Sequence, residues 1–321
     1  MRALVLSEAI GPRGLRVTEL PEPAAADRVI VDVRAAGVSY PDLLQTQGRY
    51  QTTRALPFVP GVEAAGTVRC APEGSGFEPG ARVAVLTTDG AWQQVVAGDP
   101  RRVLPLPDNI GFAAAAGMPM NHLTAHFALL RRARVQVGEL VLVHGAAGGL
   151  GQAALALCRA LGLRTIAVVS TQAKGRAAIE AGADHVVAVD NWLADVRAYT
   201  DGTGVDVVID PVGGDRFTDS LRCLSTEGRI IVLGFTGGSI PEVKVNRLLL
   251  NNTGVLGAAW GEFLRNRTHH IRAQWDELYP MLADERLRIA EPELRPLAEA
   301  GSALGDLGTR TSIGKLVLDL S

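Results

Sequence analysis

The sequence predicts an α/β protein of two domains, one a doubly wound parallel sheet and the other an antiparallel β domain. Three observations lead there. At 321 residues the chain is longer than one ordinary domain, and suits about two of the usual size of roughly 100 to 200 residues. From Glu139 onward, uniformly apolar runs of strand length alternate with helix-length segments, the pattern of strands buried on both faces and joined by crossover helices. Before that point the apolar runs are short and are separated by Pro- and Gly-rich turns such as ELPEPAAADR and CAPEGSGFEPG, the punctuation of antiparallel strands.

Taken in order, RALVLSE, RVIVDVRAAG, GVEAAGTVR, ARVAVLTT and WQQVVAG read as strands of the first domain. The parallel sheet is built from ELVLVHG, TIAVVS, DHVVAV, VDVVID, RIIVLGF and TGVLGAAW, with crossover helices expected over 152–161, 173–181, 192–199, 216–224 and 243–250. After about residue 265 a helical stretch over 273–283 precedes GKLVLDLS, whose alternation matches the N-terminal strands. The tail is therefore expected to return to the first domain. The expected boundaries are 1–121 with 266–321 for the β domain and 122–265 for the parallel-sheet domain.

Composition narrows the class. Apolar residues make up 47% and charged residues 21%, with 36 Gly and 17 Pro, the usage of a folded globular chain. Lys plus Arg (32) nearly balances Asp plus Glu (34) for a net charge of −2, so the phosphate-neutralising stripe of a nucleic-acid binder is missing and no nucleic-acid partner is expected. Only three of the basic residues are lysines: Lys174, Lys244 and Lys315. Cys70, Cys158 and Cys223 are scattered and odd in number, which offers neither a disulfide framework nor a CxxC pair and suits a reducing compartment. No signal peptide or membrane-length apolar run is recognisable, so a cytoplasmic protein with no membrane partner is expected.

The strand VLVH runs into Gly145-Ala146-Ala147-Gly148-Gly149-Leu150-Gly151 and then into QAALALCRALG. A glycine loop between strand and helix lets backbone N–H groups approach a pyrophosphate, and the helix N-terminus favours its charge. With βα units following it, the loop reads as a dinucleotide site. An NAD site places an acid about 20 residues further on. Here Ser170 closes TIAVVS, followed by Thr171, Lys174 and Arg176, with no acid before Glu180. Hydroxyl and cationic donors suit a 2′-phosphate that a carboxylate would repel, so NADPH is the expected cofactor.

At this point the chain resembles the zinc-independent quinone oxidoreductases of the medium-chain dehydrogenase/reductase superfamily, a group that includes zeta-crystallin and enoyl reductases. The likeness rests on GVSYPDLLQTQGRY, PFVPGVEAAGTV, NHLTAHFAL, VLVHGAAGGLGQAAL, GADHVV, GVDVVIDPVGG, GRIIVLGF and the terminal GKLVL. It implies a GroES-like catalytic domain from the two chain ends, a central Rossmann domain, NADPH in the cleft between them, and a homodimer. Carried over by motif, the cofactor residues are Thr124, Ala147, Gly148, Gly149, Leu150, Ser170, Lys174, Gly234, Phe235 and Lys315, with Gly314 beside the last. Two segments depart from many relatives: HVVAVDN lacks a tyrosine near the 2′-phosphate, and DGAWQQVV carries Trp92 where the substrate side is expected.

Alcohol-dehydrogenase relatives hold catalytic zinc through a cysteine in the segment matching GVSYPD and a histidine in that matching GVEAAG. Ser39 and Val62 stand there. Independently, the first 121 residues contain one cysteine and no histidine, so the usual Cys/His zinc set cannot be assembled within them and no metal is expected. Without that Lewis acid, hydride delivery to a quinone or an α,β-unsaturated carbonyl fits better than alcohol oxidation. The catalytic candidates are Tyr40 and Tyr50, two of only four tyrosines; in relatives their segment faces the nicotinamide, and Tyr50 matches the tyrosine of mitochondrial-type enoyl-thioester reductases. Two alternatives stay open: an enoyl-thioester reductase, and a NADPH-binding protein with little catalysis. His122, His126 and His144 read as structural.

Overall fold

The computed structural model describes residues 1–52 and 54–321. The chain divides into two compact units, Met1–Met120 with Thr268–Asp284 and Glu291–Ser321, and Asn121–Arg267 with Glu285–Ala290.

In the first unit all five expected runs form strands. The ten-residue strand Val29–Val38 organises the sheet. One edge pairs antiparallel with Glu63–Cys70, and the other is shared between Val95–Gly98 and the tail strand Leu316–Asp319. Arg82–Leu86 and Val103–Pro105 extend one side and Glu293–Pro296 the other, giving seven strands. A separate ribbon joins Arg2–Leu6 to Leu15–Glu19. Leu316, Val317 and Leu318 are all buried, although alternation alone would expose one face. Each face has its own cover: Ala300, Ala303 and Leu304 of the helix Ala300–Thr309 join the core of Leu316 and Leu318, while Val317 lies beside Gly117 of Phe112–His126.

Three helices escape the periodicity argument. Tyr40–Thr46 is short, Ala300–Thr309 is Gly-rich, and Phe112–His126 is apolar on all sides and carries Pro119 inside, so it has no polar stripe to reveal its period. The helix His269–Ala283 is longer than the expected 273–283 and belongs to the first unit, where the Trp275 indole N–H donates to the Pro105 carbonyl at 2.9 Å.

The second unit is a six-stranded parallel sheet in the order His185–Ala188, Arg164–Val169, Leu140–Val143, Val205–Asp210, Leu224–Val232, Gly254–Gly257. In chain order this is 3-2-1-4-5-6, the doubly wound arrangement with its switch point beside the first strand. Two expected helices are shorter than their pattern suggested. The stretch 216–224 folds as Phe217–Arg222, because Leu224 already opens the next strand. The stretch 243–250 yields only Asn246–Asn251, and its Leu249 and Leu250 are 76% and 77% exposed. Among the described residues, no helix is long and apolar enough to cross a membrane.

Candidate functional site

In the first unit a buried polar cluster lies where GVSYPD meets GVEAAG and GKLVL. Ser39 ends the long strand and opens the helix Tyr40–Thr46, with Pro41 in the first turn, where a missing N–H costs nothing. The Asp42 carboxyl accepts the Ser39 backbone N–H at 2.7 Å, the reciprocal bond of a capping box. Glu63 is fully buried, and its carboxylate accepts from Lys315 Nζ at 2.5 Å, Ser39 Oγ at 3.0 Å and the Met120 N–H at 2.8 Å. Lys315 also donates to Ser39 Oγ at 2.7 Å. Two glycines make room: a Cβ at Gly37 would stand 2.6 Å from Glu63 Oε1, and one at Gly117 would stand 2.7 Å from Lys315 Cγ.

Burial, only partly offset by the Ser39 N–H and Lys315, pushes the Asp42 carboxyl up to about 7. The Tyr50 phenol is also raised, first by burial and then by the charge of Asp42. Tyr40 is half-buried against the core of this unit. Trp92, in the segment expected near the substrate side, is fully buried, donates its indole N–H to the Gly37 carbonyl at 3.0 Å, and packs against Gly61, where a Cβ would come within 2.3 Å of the ring. It supports the Ser39 segment from within the core.

The zinc implied by the wider alcohol-dehydrogenase family does not fit these residues. Ser39 Oγ is committed to Glu63 and Lys315, Val62 offers no donor, and the Lys315 ammonium already supplies the cation that the buried Glu63 carboxylate requires. Among the described residues no group of three or more His, Cys, Asp or Glu could hold a metal.

In the second unit the loop after Leu140–Val143 turns tightly, with Gly145 at φ 59° and the Gly148 N–H on the Gly145 carbonyl at 3.0 Å. A Cβ at Gly151 would meet that carbonyl at 2.3 Å, so this position must be glycine for helix and loop to pack. Gly148 caps the helix Gly149–Ala160 without a side-chain bond, and no acid lies in its first turn. The N–H groups around Ala147, Gly148, Gly149 and Leu150 thus form a helix N-terminus suited to an anion. Ser170 is exposed at the end of Arg164–Val169; Thr171 caps the next helix by accepting the Lys174 N–H at 3.2 Å, and Lys174 is half-buried in its first turn.

The loop after Leu224–Val232 folds over the one after Val205–Asp210. The Gly237 N–H donates to the Val212 carbonyl at 2.7 Å, and Phe235 lies over Gly213, where a Cβ would be 2.8 Å from the ring. Gly234 and Phe235 therefore share the carboxyl end of the sheet with the glycine loop, Ser170 and Lys174, the end at which such sheets bind ligands. Thr124 is half-buried in Phe112–His126. His144 is buried, bonded to Ser220 Oγ at 2.9 Å and edge-on to Trp192; burial holds its ring neutral, down to about 3, a structural role.

Sequence reasoning missed Glu63, Asp42 and Asp210. Asp210 ends its strand, binds the N–H groups of Val212 and Gly213 at 2.8 Å each, and is raised by burial. The signals were present: an acid inside the apolar run GVEAAG, the Ser-x-x-Asp spacing of residues 39 and 42, and an acid closing VDVVID.

A GroES-like β unit and a doubly wound dinucleotide-type unit together define a medium-chain dehydrogenase/reductase. The family models named alcohol dehydrogenase GroES-like domain and zinc-binding dehydrogenase match residues 25–125 and 149–283. The chain is 33% identical over 304 residues to the quinone oxidoreductase-like protein 2 of Bos taurus, covering 94% of this chain and 87% of that one. A probable oxidoreductase from Mycobacterium abscessus superposes with a TM-score of 0.89 at 41% identity, over 99% and 98% of the two chains. The quinone oxidoreductase from Thermus thermophilus, solved also with NADPH, does so with a TM-score of 0.86 at 34% identity over all of both. The chain belongs to the quinone oxidoreductase group of this family.

Proposed function

We propose that the protein is a metal-independent, NADPH-dependent reductase of quinones or α,β-unsaturated carbonyls. The observation that carries this reading is the Ser39–Glu63–Lys315 cluster: Ser39, at the position of a zinc-binding cysteine in alcohol-oxidising relatives, is tied by its hydroxyl to a buried carboxylate and an ammonium instead. When bound, NADPH supplies the hydride. Its phosphates are held by the N–H groups of Ala147, Gly148, Gly149 and Leu150; Ser170 and Lys174 take the 2′-phosphate, and Thr124, Gly234 and Phe235 border the rest. Lys315 commits two of its ammonium protons to Ser39 and Glu63, and we assign the third to the cofactor side.

The substrate side is the Tyr40 to Tyr50 segment. Tyr50 donates its phenolic proton to the carbon beside the carbonyl of an enone, while hydroxyl and backbone N–H donors steady the developing enolate. Quinone oxygens take their protons from water. The Tyr50 phenol, raised by burial and by Asp42, carries its proton at neutral pH and so is available as a donor, but the shift itself makes it a weaker acid. The same residue favours an enoyl thioester as the second substrate class.

Two further readings complete the proposal. A homodimer is supported by the edge strand Gly254–Gly257, paired on one side only, and by the exposed Leu249 and Leu250 next to it in sequence. A reducing, cytoplasmic compartment is supported by three free cysteines, two of them buried. The test of function is a panel of quinones, enones and enoyl thioesters scored by loss of NADPH absorbance. Turnover of at least one quinone or enone is expected; tight NADPH binding with no turnover would mean a binding protein instead.

A further inference from the structure

The polar cluster holds two buried carboxyls and one ammonium. Glu63 takes the ammonium, a hydroxyl and a backbone N–H, so its charge is fully compensated. Asp42 is equally buried, yet its donors among the described residues are backbone N–H groups alone: Oδ2 accepts the Ser39 N–H, while Oδ1 has no hydrogen-bond partner among them. A carboxylate left so poorly compensated away from water binds a proton instead. The second observation lies on the same helix. Gln45, also buried, has an unpartnered Oε1, and residues three apart on a helix share a face. Two acceptors without donors become one hydrogen bond if a single proton resides on Asp42 Oδ1.

We propose that Asp42 is a proton-bearing positioning residue: its carboxyl is neutral in the resting protein, its Oδ1–H donates to Gln45 Oε1, and loss of that proton to solvent places an uncompensated negative charge beside Tyr50. Charge on Asp42 makes the Tyr50 O–H harder to ionise, so deprotonation of Asp42 weakens Tyr50 as an acid. This consequence rests on the Tyr50 role proposed above; the proton on Asp42 does not. The groups facing Asp42 are few. Lys315 favours its charged form and Glu63 opposes it, with the Ser39 and Gly61 backbone favouring charge. The helix Ala300–Thr309 and the turn Pro12–Gly14 pack on Tyr40–Thr46. Their charged groups are Asp306, paired with Arg295, and the exposed Arg13.

The test uses the full-length protein labelled with ¹³C at aspartate carboxyls, with Asp42→Asn identifying the Asp42 resonance by its disappearance. A midpoint near neutrality is expected. A midpoint at the ordinary aspartate value of about 4 would overturn the proposal. The Tyr50 phenol, read as the ultraviolet difference between the wild type and Tyr50→Phe, should ionise at lower pH once Asp42→Asn is introduced; no movement would overturn the coupling. Turnover of NADPH with trans-3-octen-2-one should decline as pH rises through neutrality in the wild type and lose that decline in Asp42→Asn. A merely structural Asp42 would change melting or KM and leave the decline in place. If Tyr50→Phe is as active as the wild type while the resonance still titrates near neutrality, the Tyr50 reading fails and the proton on Asp42 stands.

Discussion

Replacing Lys315 by Met tests the polar cluster most severely. Glu63 is fully buried and Lys315 is 11% exposed, so neither charge has water to fall back on. Met fills most of the lysine's volume but leaves the Glu63 carboxylate with two neutral donors, Ser39 Oγ and the Met120 N–H. The close approach at Gly37 and Gly117 leaves little space for a replacement water. Removing one partner of a buried ion pair costs about 3 to 5 kcal/mol. For a unit of this size that is roughly 6 to 20 °C in Tm. Differential scanning calorimetry should show the first unit melting earlier by that amount. Because the penalty comes from an uncompensated charge, the double variant Lys315→Met/Glu63→Leu should recover most of it. A drop under about 2 °C for the single variant, or a double variant as unstable as the single, would refute the reasoning.

Other expectations are equally direct. Lys174→Ala should narrow the preference for NADPH over NADH by roughly one to two orders of magnitude, the worth of one charge-assisted contact, measured by titration calorimetry with both cofactors. Tyr50→Phe should cut enone turnover by about 10² to 10⁴-fold and leave quinone turnover far less affected; equal small losses on both would return Tyr50 to packing. Asp42, raised on folding, contributes stability that is present at low pH and lost as pH rises from its unfolded value toward about 7. The wild type should therefore lose about 4 kcal/mol relative to Asp42→Asn across that window, read by denaturant titration at stepped pH. Leu249→Asp with Leu250→Asp should turn a dimer into a monomer in sedimentation; a wild type that is already monomeric would remove the dimer.

The sheet strands were legible because burial on both faces writes itself as unbroken Val, Ile and Leu, and the glycine loop because Gly145 takes a left-handed turn that favours glycine and Gly151 has no room for a Cβ. Helices escaped the sequence where burial on all sides erased the polar stripe, as over Phe112–His126, and their ends were misjudged where no residue is buried to fix them, as over Asn246–Asn251. The candidate cofactor segments, the glycine loop and Ser170 to Lys174, were readable because each is one short stretch of sequence. The Ser39–Glu63–Lys315 cluster was not, because its members are 24 and 252 residues apart, and only the sheet register brings them together. Trp92 drew notice by the position of its segment in the resemblance, whereas its role in the core, with the indole N–H on the Gly37 carbonyl, was visible only in the structure.

For reduction by NADPH without a metal, the decisive measurement is the turnover of chelator-treated protein with a quinone and an enone, before and after stoichiometric zinc is added. Chelation should leave the rate unchanged, and zinc should add nothing. Activity lost on chelation and restored by one zinc per chain would contradict a metal-free reaction.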